Sequence, residues 1–467
     1  MKTLYKKKNG YWLIAKKIFF LSFTFSMPAC DSFLEVDLPK SQLTDVAVFQ
    51  EYTTANAAMA DIYAKIRDRG LLTGTAFGLT NYLGNYADEL TFYGAATNPA
   101  FAFYTNTVLP SNTNIGTLWN NSYNQIYAVN AVLEGVRPSM LTVQEKAQLE
   151  GEALFLRGLL HFYLLQLFGD IPYIQTTDYR VNSIVTKMPK SEVYTYILND
   201  LRTAEDLLLP NYSSTERVRA NSFVVKALLA RVYLYKGSWD DANKKATAVI
   251  ENNSLYIFEN TLSKVFLKNS TEAIWQFMPT AVGKNTDEGA FFTFAFGPPP
   301  MVALSESLMS SFATNDLRKT SWTTPISKGS STWYYASKYK EPRSTATSRE
   351  YSIVLRLTEQ YLIRAEARAE LGNIIGAKED LNKIRNRAGL SDTGASSKEQ
   401  ILEEILEQRR KELFTEYGHR FFDLKRTGKL DAVLFIKPGW NTTDVLLPLP
   451  ENELTLNPNL KPQNLGY

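Results

Sequence analysis

The chain has 467 residues, 45% of them hydrophobic and 21% charged, which is apolar enough for a sizeable buried core and too apolar for a disordered chain. Lys and Arg exceed Asp and Glu by 51 − 48 = 3, and six of those lysines lie in the first 29 residues, which hold no acid, so the rest of the chain carries 45 − 48 = −3. A mildly acidic body without basic runs lacks the electrostatic footprint of a nucleic-acid binder, and that partner is excluded.

At the N-terminus, Lys2, Lys6, Lys7, Lys8, Lys16 and Lys17 precede the apolar run 18–27 and then Pro28, Ala29 and Cys30. This is the pattern of a secretory signal peptide over 1–29. A spanning helix would need about 20 predominantly apolar residues, and Lys16 and Lys17 interrupt the run short of that. Cys30 is the one cysteine of the chain, so no intramolecular disulfide forms. Its place directly after a small residue looks like a bacterial lipobox, in which the thiol takes a lipid and becomes the mature N-terminus. Met27 and Pro28 depart from the usual form of that motif.

Helical periodicity dominates the next part, with helices expected around 55–67, 118–136, 146–168 and 193–208. A later stretch recurs: Ala230, Gly237, Ala242, Ala246 and Val249 are matched 135 residues on by Ala365, Gly372, Ala377, Leu381 and Ile384. Each set reads as a helical hairpin in which a glycine takes the left-handed cap and an alanine permits close approach of the second helix. Small residues at these places resemble tetratricopeptide units. Pairing 55–67 with 118–136 and 146–168 with 193–208 adds two weaker hairpins. The expected fold is mainly α, a superhelix of about four helix pairs with long irregular loops and a few short strands. Stacked helices of this kind present surfaces to partners.

Over about 254–355 the pattern changes to short β-like runs such as 273–277, broken by Gly297-Pro298-Pro299-Pro300 and Ser/Thr-rich loops. A further helix is predicted over 398–417, with Gly418 as its C-cap. The closing segment has prolines every few residues and reads as an extended tail that wraps a surface formed elsewhere. No linker rich in Gly, Ser or Pro marks a boundary, and we divide the chain into the signal peptide 1–29, an N-terminal helical part 30–215 and a C-terminal part 216–467 that holds the loop-rich insertion.

Several segments in this order resemble the SusD/RagB family of Bacteroidota outer-membrane nutrient-binding lipoproteins: Cys30 followed by FLEVDLPKSQLT, then EGEALFLRGLLHFYLLQLFGDIPYI, RANSFVVKALLARVYLYKGSWDDA, LRLTEQYLIRAEARAELG, EQRRKELFTEYGHRFFDLKRTGKL and LPLPENELTLNPNL. The resemblance implies a lipoprotein facing the cell exterior. It would sit over a TonB-dependent transporter of the SusC type, capture an oligosaccharide or peptide and deliver it to the transporter, with no cofactor and no metal.

Motifs for catalysis are weak. His161 lies in an apolar helix and His419 beside Arg420, neither with a second histidine at metal-ligand spacing, and both read as structural. No G-x-S-x-G elbow, phosphate loop or dinucleotide fingerprint occurs. Asp88-Glu89 is a carboxylate pair that a glycoside hydrolase would need in defined geometry; as neighbours in sequence they read as a solvated or capping pair. Arg409, Arg410, Glu412, Glu416, Arg420 and Asp423 form a charged cluster that helical spacing would satisfy internally.

Aromatic residues carry the ligand argument, because sugars and extended peptides offer apolar faces to rings. One loop-like segment holds Tyr82, Tyr86, Phe92, Tyr93, Phe101, Phe103 and Tyr104 among Asn81, Asn85, Asp88 and Glu89. Another holds Trp322, Trp333, Tyr334, Tyr335 and Tyr339 with Lys338 and Lys340. The predicted ligand-binding residues are Tyr82, Asn85, Asp88, Glu89, Tyr93, Trp333, Tyr334, Tyr335 and Lys338. A glycan is the favoured ligand, with a peptide as the alternative; a hydrolase and a pure protein scaffold are the competing classes.

Overall fold

Residues 48–467 are described by a computed structural model; the signal segment, Cys30 and the motif at 33–44 lie outside the described residues. In chain order the longer helices are α1 (Tyr52–Arg69), α2 (Leu79–Tyr86), α3 (Thr113–Val136), α4 (Val143–Phe168), α5 (Lys190–Leu207), α6 (Ser222–Lys236), α7 (Trp239–Ile250), α8 (Leu357–Glu370), α9 (Ile374–Arg387), α10 (Lys398–Leu413) and α11 (His419–Arg426). The strands are short: β1 (Leu90–Phe92), β2 (Ala273–Phe277), β3 (Val302–Leu304), β4 (Thr323–Lys328), β5 (Ser331–Ala336) and β6 (Ser352–Arg356).

The four helix pairs expected from sequence are present: α1 packs with α3, α4 with α5, α6 with α7, and α8 with α9. They stack in order, because α3 also packs on α4, α5 on α6 and α7 on α8. Capping starts several of these helices. Thr142 and Glu145 form a capping box before α4, and the side chains of Asn221 and Asn373 accept backbone N–H bonds at the starts of α6 and α9. The two matched turns use their glycines as read: Gly237 has φ +77° and Gly372 has φ +81°. The small residues that follow, Ala242 and Ala377, are fully buried.

Helix α4 occupies the centre. From Leu149 to Phe168 it is buried on nearly every side, the condition under which a helix loses its polar face. Its polar residues are satisfied within the chain. Arg157 pairs with Asp200 at 2.6 Å and donates to Asn130, and Arg219 pairs with Glu152. His161 accepts the Ile174 N–H at Nε2, 3.1 Å, which leaves Nδ1 to donate to the Arg157 carbonyl. Burial pushes its pKa down to about 3, so the ring is a neutral brace between α4 and the following loop.

The insertion after α7 is closed at its base. β2, which follows α7, pairs antiparallel with β6, which runs directly into α8, so the two ends of a long excursion meet next to the helices that carry them. Inside it β4 pairs with β5, while β3 pairs with β1, a strand supplied from outside the insertion, directly after α2.

One predicted helix ends earlier than expected. α10 stops at Leu413 rather than reaching Tyr417; Thr415 and Tyr417 take positive φ, and Gly418, at φ +80°, precedes α11 instead of capping α10. The tail wraps as predicted, with Leu447 N–H bonded to the Leu167 carbonyl and the Asn464 amide bonded to the carbonyls of Phe168 and Leu447. It includes the short helix Glu451–Leu456.

Candidate ligand-binding surface

Two antiparallel pairings bring the aromatic loops together. Register Leu90↔Leu304 through Phe92↔Val302 joins β1 to β3, and the Tyr93 N–H continues the ladder to the Met301 carbonyl at 2.7 Å. β4 and β5 form a hairpin from Thr323↔Ala336 to Lys328↔Ser331, turned through Gly329 at φ +60°, a conformation that suits glycine. β3 lies against β5, which links the segment carrying Tyr93 to the segment carrying Trp333.

Strand alternation sorts the rings of β5. Trp333 and Tyr335 share one face and Tyr334 takes the other, where it packs against the hydrophobic core. Trp333 lies directly over Gly297: a Cβ at that glycine would sit 2.1 Å from the indole, so only a residue without a side chain permits the approach. Tyr335 meets Phe294 edge to face at 5.3 Å. Trp333, Tyr334 and Tyr335 are partly exposed, Tyr93 is 40% exposed, and Phe296, the neighbour of Gly297, is 83% exposed. Trp333 and Tyr335 on β5, Tyr93 just after β1 and Phe296 in the bend before Gly297 make a ring-bearing surface anchored to the helical stack, with Tyr334 turned away from it. Sequence reading missed Phe296. The available signal was an aromatic residue immediately before a Gly-Pro-Pro-Pro turn, where a ring has little chain to pack against.

The other predicted site residues do not reach this surface. Tyr82 is buried in α2, stacked on Phe103 at 4.5 Å. Asn85, also buried in α2, donates to the Asn81 carbonyl and side chain, both at 2.8 Å. Asp88 is clamped between Arg410 and Arg420 at 2.8 and 2.7 Å. Burial and the charge of neighbouring Asp88 push the Glu89 carboxyl up to about 8. Lys338 is buried, its Nζ donating to the carbonyls of Glu412 and Phe414 and to the Glu416 carboxylate. Burial lowers its pKa to about 8 despite that carboxylate. The placement of these five beside an open cleft is therefore corrected: α2 is buried on all sides, and Lys338 is drawn inward to satisfy carbonyls freed where α10 ends.

The charged cluster is structural, as read, but its partners come from other elements. Arg409 pairs with Asp423, Glu412 with Arg318, Arg356 and Arg387, and Glu416 with Arg356 and Lys338. The break after Leu413 takes Glu416 off the helix, so the four-residue spacing to Glu412 has no helical meaning. Asp88 and Glu89, the carboxylate pair considered for hydrolysis, are both enclosed in this polar interior. Among the described residues no three His, Cys, Asp or Glu side chains are grouped to hold a metal ion.

Comparison with known proteins agrees with this architecture. Residues 32–234 match a SusD-like family described as starch-binding and associating with the outer membrane, and residues 304–438 match the SusD family. SusD-like protein P2 of Formosa agariphila is 27% identical over 414 residues, covering 76% of this chain and 81% of that protein. The crystal structure of a SusD superfamily protein from Bacteroides vulgatus superposes with a TM-score of 0.79 at 21% identity, covering 90% of this chain and all of the other. A laminarin-binding SusD-like protein superposes with a TM-score of 0.76 at 24% identity over 89% of this chain and 99% of its own. With residues 32–234 and 304–438 both matched, the chain belongs to the SusD/RagB family.

Proposed function

We propose that this protein binds an oligosaccharide on the surface formed by Tyr93, Phe296, Trp333 and Tyr335 and delivers it to a TonB-dependent outer-membrane transporter of the SusC type. The observation that carries this reading is the exposure of several rings at and beside adjoining strands that are themselves committed to the fold. Rings so placed stack on the apolar faces of sugars at little conformational cost, since each has only two side-chain torsions to fix. The starch-binding description of the family and the laminarin-binding relative favour a glycan over a peptide. The protein acts as a binder and carries out no reaction itself. A lipid on Cys30 holds it on the outer membrane, facing the cell exterior, and a Cys30→Ser variant should fail to incorporate labelled fatty acid.

Calorimetry with hexasaccharide fragments of laminarin and of starch tests the site. A ring in a binding hot spot contributes about 1–3 kcal/mol, so Trp333→Ala should weaken binding by about tenfold or more, with the helical circular dichroism unchanged. Wild-type affinity in Trp333→Ala would place the ligand elsewhere.

A further inference from the structure

A second feature lies away from the strand-borne rings. A cleft of about 660 Å³ runs between α3, the loop 169–189 and the closing tail. We propose that this cleft is a second saccharide site, suited to a short neutral oligosaccharide; the choice of sugar as ligand class rests on the carbohydrate reading above.

Its floor is a ladder on α3. Trp119, Tyr123 and Tyr127 are spaced by four residues and share one helical face, a row about 12 Å long at 1.5 Å per residue. Trp119, 3% exposed, closes the buried end of the row, so the accessible faces are those of Tyr123 and Tyr127. Trp119 abuts Phe168 edge to face at 5.1 Å and lies 4.8 Å from Tyr123, whose hydroxyl donates to the Pro172 carbonyl at 2.9 Å. Tyr127, at the end of the row, is 53% exposed. Asn120 and Asn124 follow the first two rings in sequence, so their amides lie beside the row rather than beneath it. Both are exposed, and neither side chain makes a hydrogen bond to the described residues. A stacking face flanked by free amides supplies the two contacts a pyranose needs, an apolar surface and donors and acceptors for hydroxyls.

The opposite wall is tied in place. The Asn457 amide donates to the Val185 carbonyl at 2.8 Å and the Asn459 amide to the Ile184 carbonyl at 2.9 Å, stitching the tail to the loop and reducing the ordering cost of binding. Charge sets the ligand class. Among the described residues the cleft is lined by no lysine or arginine, and Glu453 is its one carboxylate. A sulfated or uronic-acid glycan would bring negative charge to a site without a cation to meet it.

Titration calorimetry of the purified full chain with the same two hexasaccharides separates the sites. Wild type should take two equivalents. Tyr127→Ala and Asn124→Ala, both at exposed positions, should each cut affinity at one site tenfold or more and leave the second equivalent intact, while Trp333→Ala should spare the cleft. Wild-type stoichiometry and affinity in Tyr127→Ala and Asn124→Ala would overturn the cleft, as would loss of co-purification with the transporter in Tyr127→Ala without any change in sugar binding. If Trp333→Ala alone abolishes all binding, the cleft falls and the strand surface stands. If Tyr127→Ala alone does so, the reverse holds, and if wild type takes neither sugar, both readings fall.

Discussion

Replacing Glu412 with glutamine removes the one charge that three buried arginines share. Glu412 is fully buried, with Arg356 at 2.8 Å, Arg318 at 3.3 Å and Arg387 alongside. Burial alone would raise its pKa, but Arg387, Arg356 and Arg318 outweigh burial and hold it down to about 2, against an ordinary value of 4.5. At 1.36 kcal/mol per pH unit that difference corresponds to about 3 kcal/mol of stability at neutral pH. This agrees with the lower end of the roughly 3–5 kcal/mol lost when a buried pair is broken. The lower end is expected because each arginine keeps another acceptor: Arg318 has Asp316, Arg356 has Glu416 and Arg387 has Glu272. The folded value lies below the unfolded one, so the stabilisation is complete above about pH 4.5 and is lost as pH falls toward about 2. Urea unfolding of wild type and Glu412→Gln, followed by helical circular dichroism at several pH values, should give a difference of about 3 kcal/mol at pH 7 that shrinks to about 1 kcal/mol at pH 3. A difference that stays constant between pH 7 and pH 3, or one below about 1 kcal/mol at pH 7, would refute the assignment of this carboxylate as the hub of the cluster.

Glu89 makes the opposite prediction. Its folded pKa is raised to about 8, so its contribution is present below about pH 4.5 and lost as pH rises through 8. Glu89→Gln should therefore match wild type near pH 4 and be more stable by about 2 kcal/mol or more at pH 9, read as a difference in urea midpoints. Two glycines with the same left-handed backbone should respond differently to alanine. Gly372 has open space around it, and Gly372→Ala should cost about 1–2 kcal/mol from conformation alone. A Cβ on Gly418 would lie 2.3 Å from the buried Leu83 side chain, and Gly418→Ala should cost a further 1–3 kcal/mol or so by overpacking. Equal losses in thermal unfolding would contradict that packing.

The helical stack was legible because its signals are local. Alanines and glycines 135 residues apart, cap residues such as Asn221 and Asn373, and the predominantly apolar sequence of α4 each act within one or two turns of chain. So the sequence by itself determined the four helix pairs, the change to short strands after α7 and the wrapping tail. The fate of individual side chains was decided by contacts between distant segments. Tyr82 and Asn85 belong to α2, an eight-residue helix buried on every side, and such a helix has no polar face to give it away. Lys338 was read as a ligand contact because it lies among the rings of the second aromatic segment, yet two carbonyls, 74 and 76 residues away, and the Glu416 carboxylate claim its three donors. The same holds for Glu412 and Glu416: helical spacing suggested pairing along one helix, but the chain leaves the helix between them, and Arg318, Arg356 and Arg387 converge there from other stretches of chain together with Lys338. Sequence thus specified which segments become helices through short-range geometry. Which rings and charges face outward depended on burial, a property of the assembled chain that no local pattern encodes.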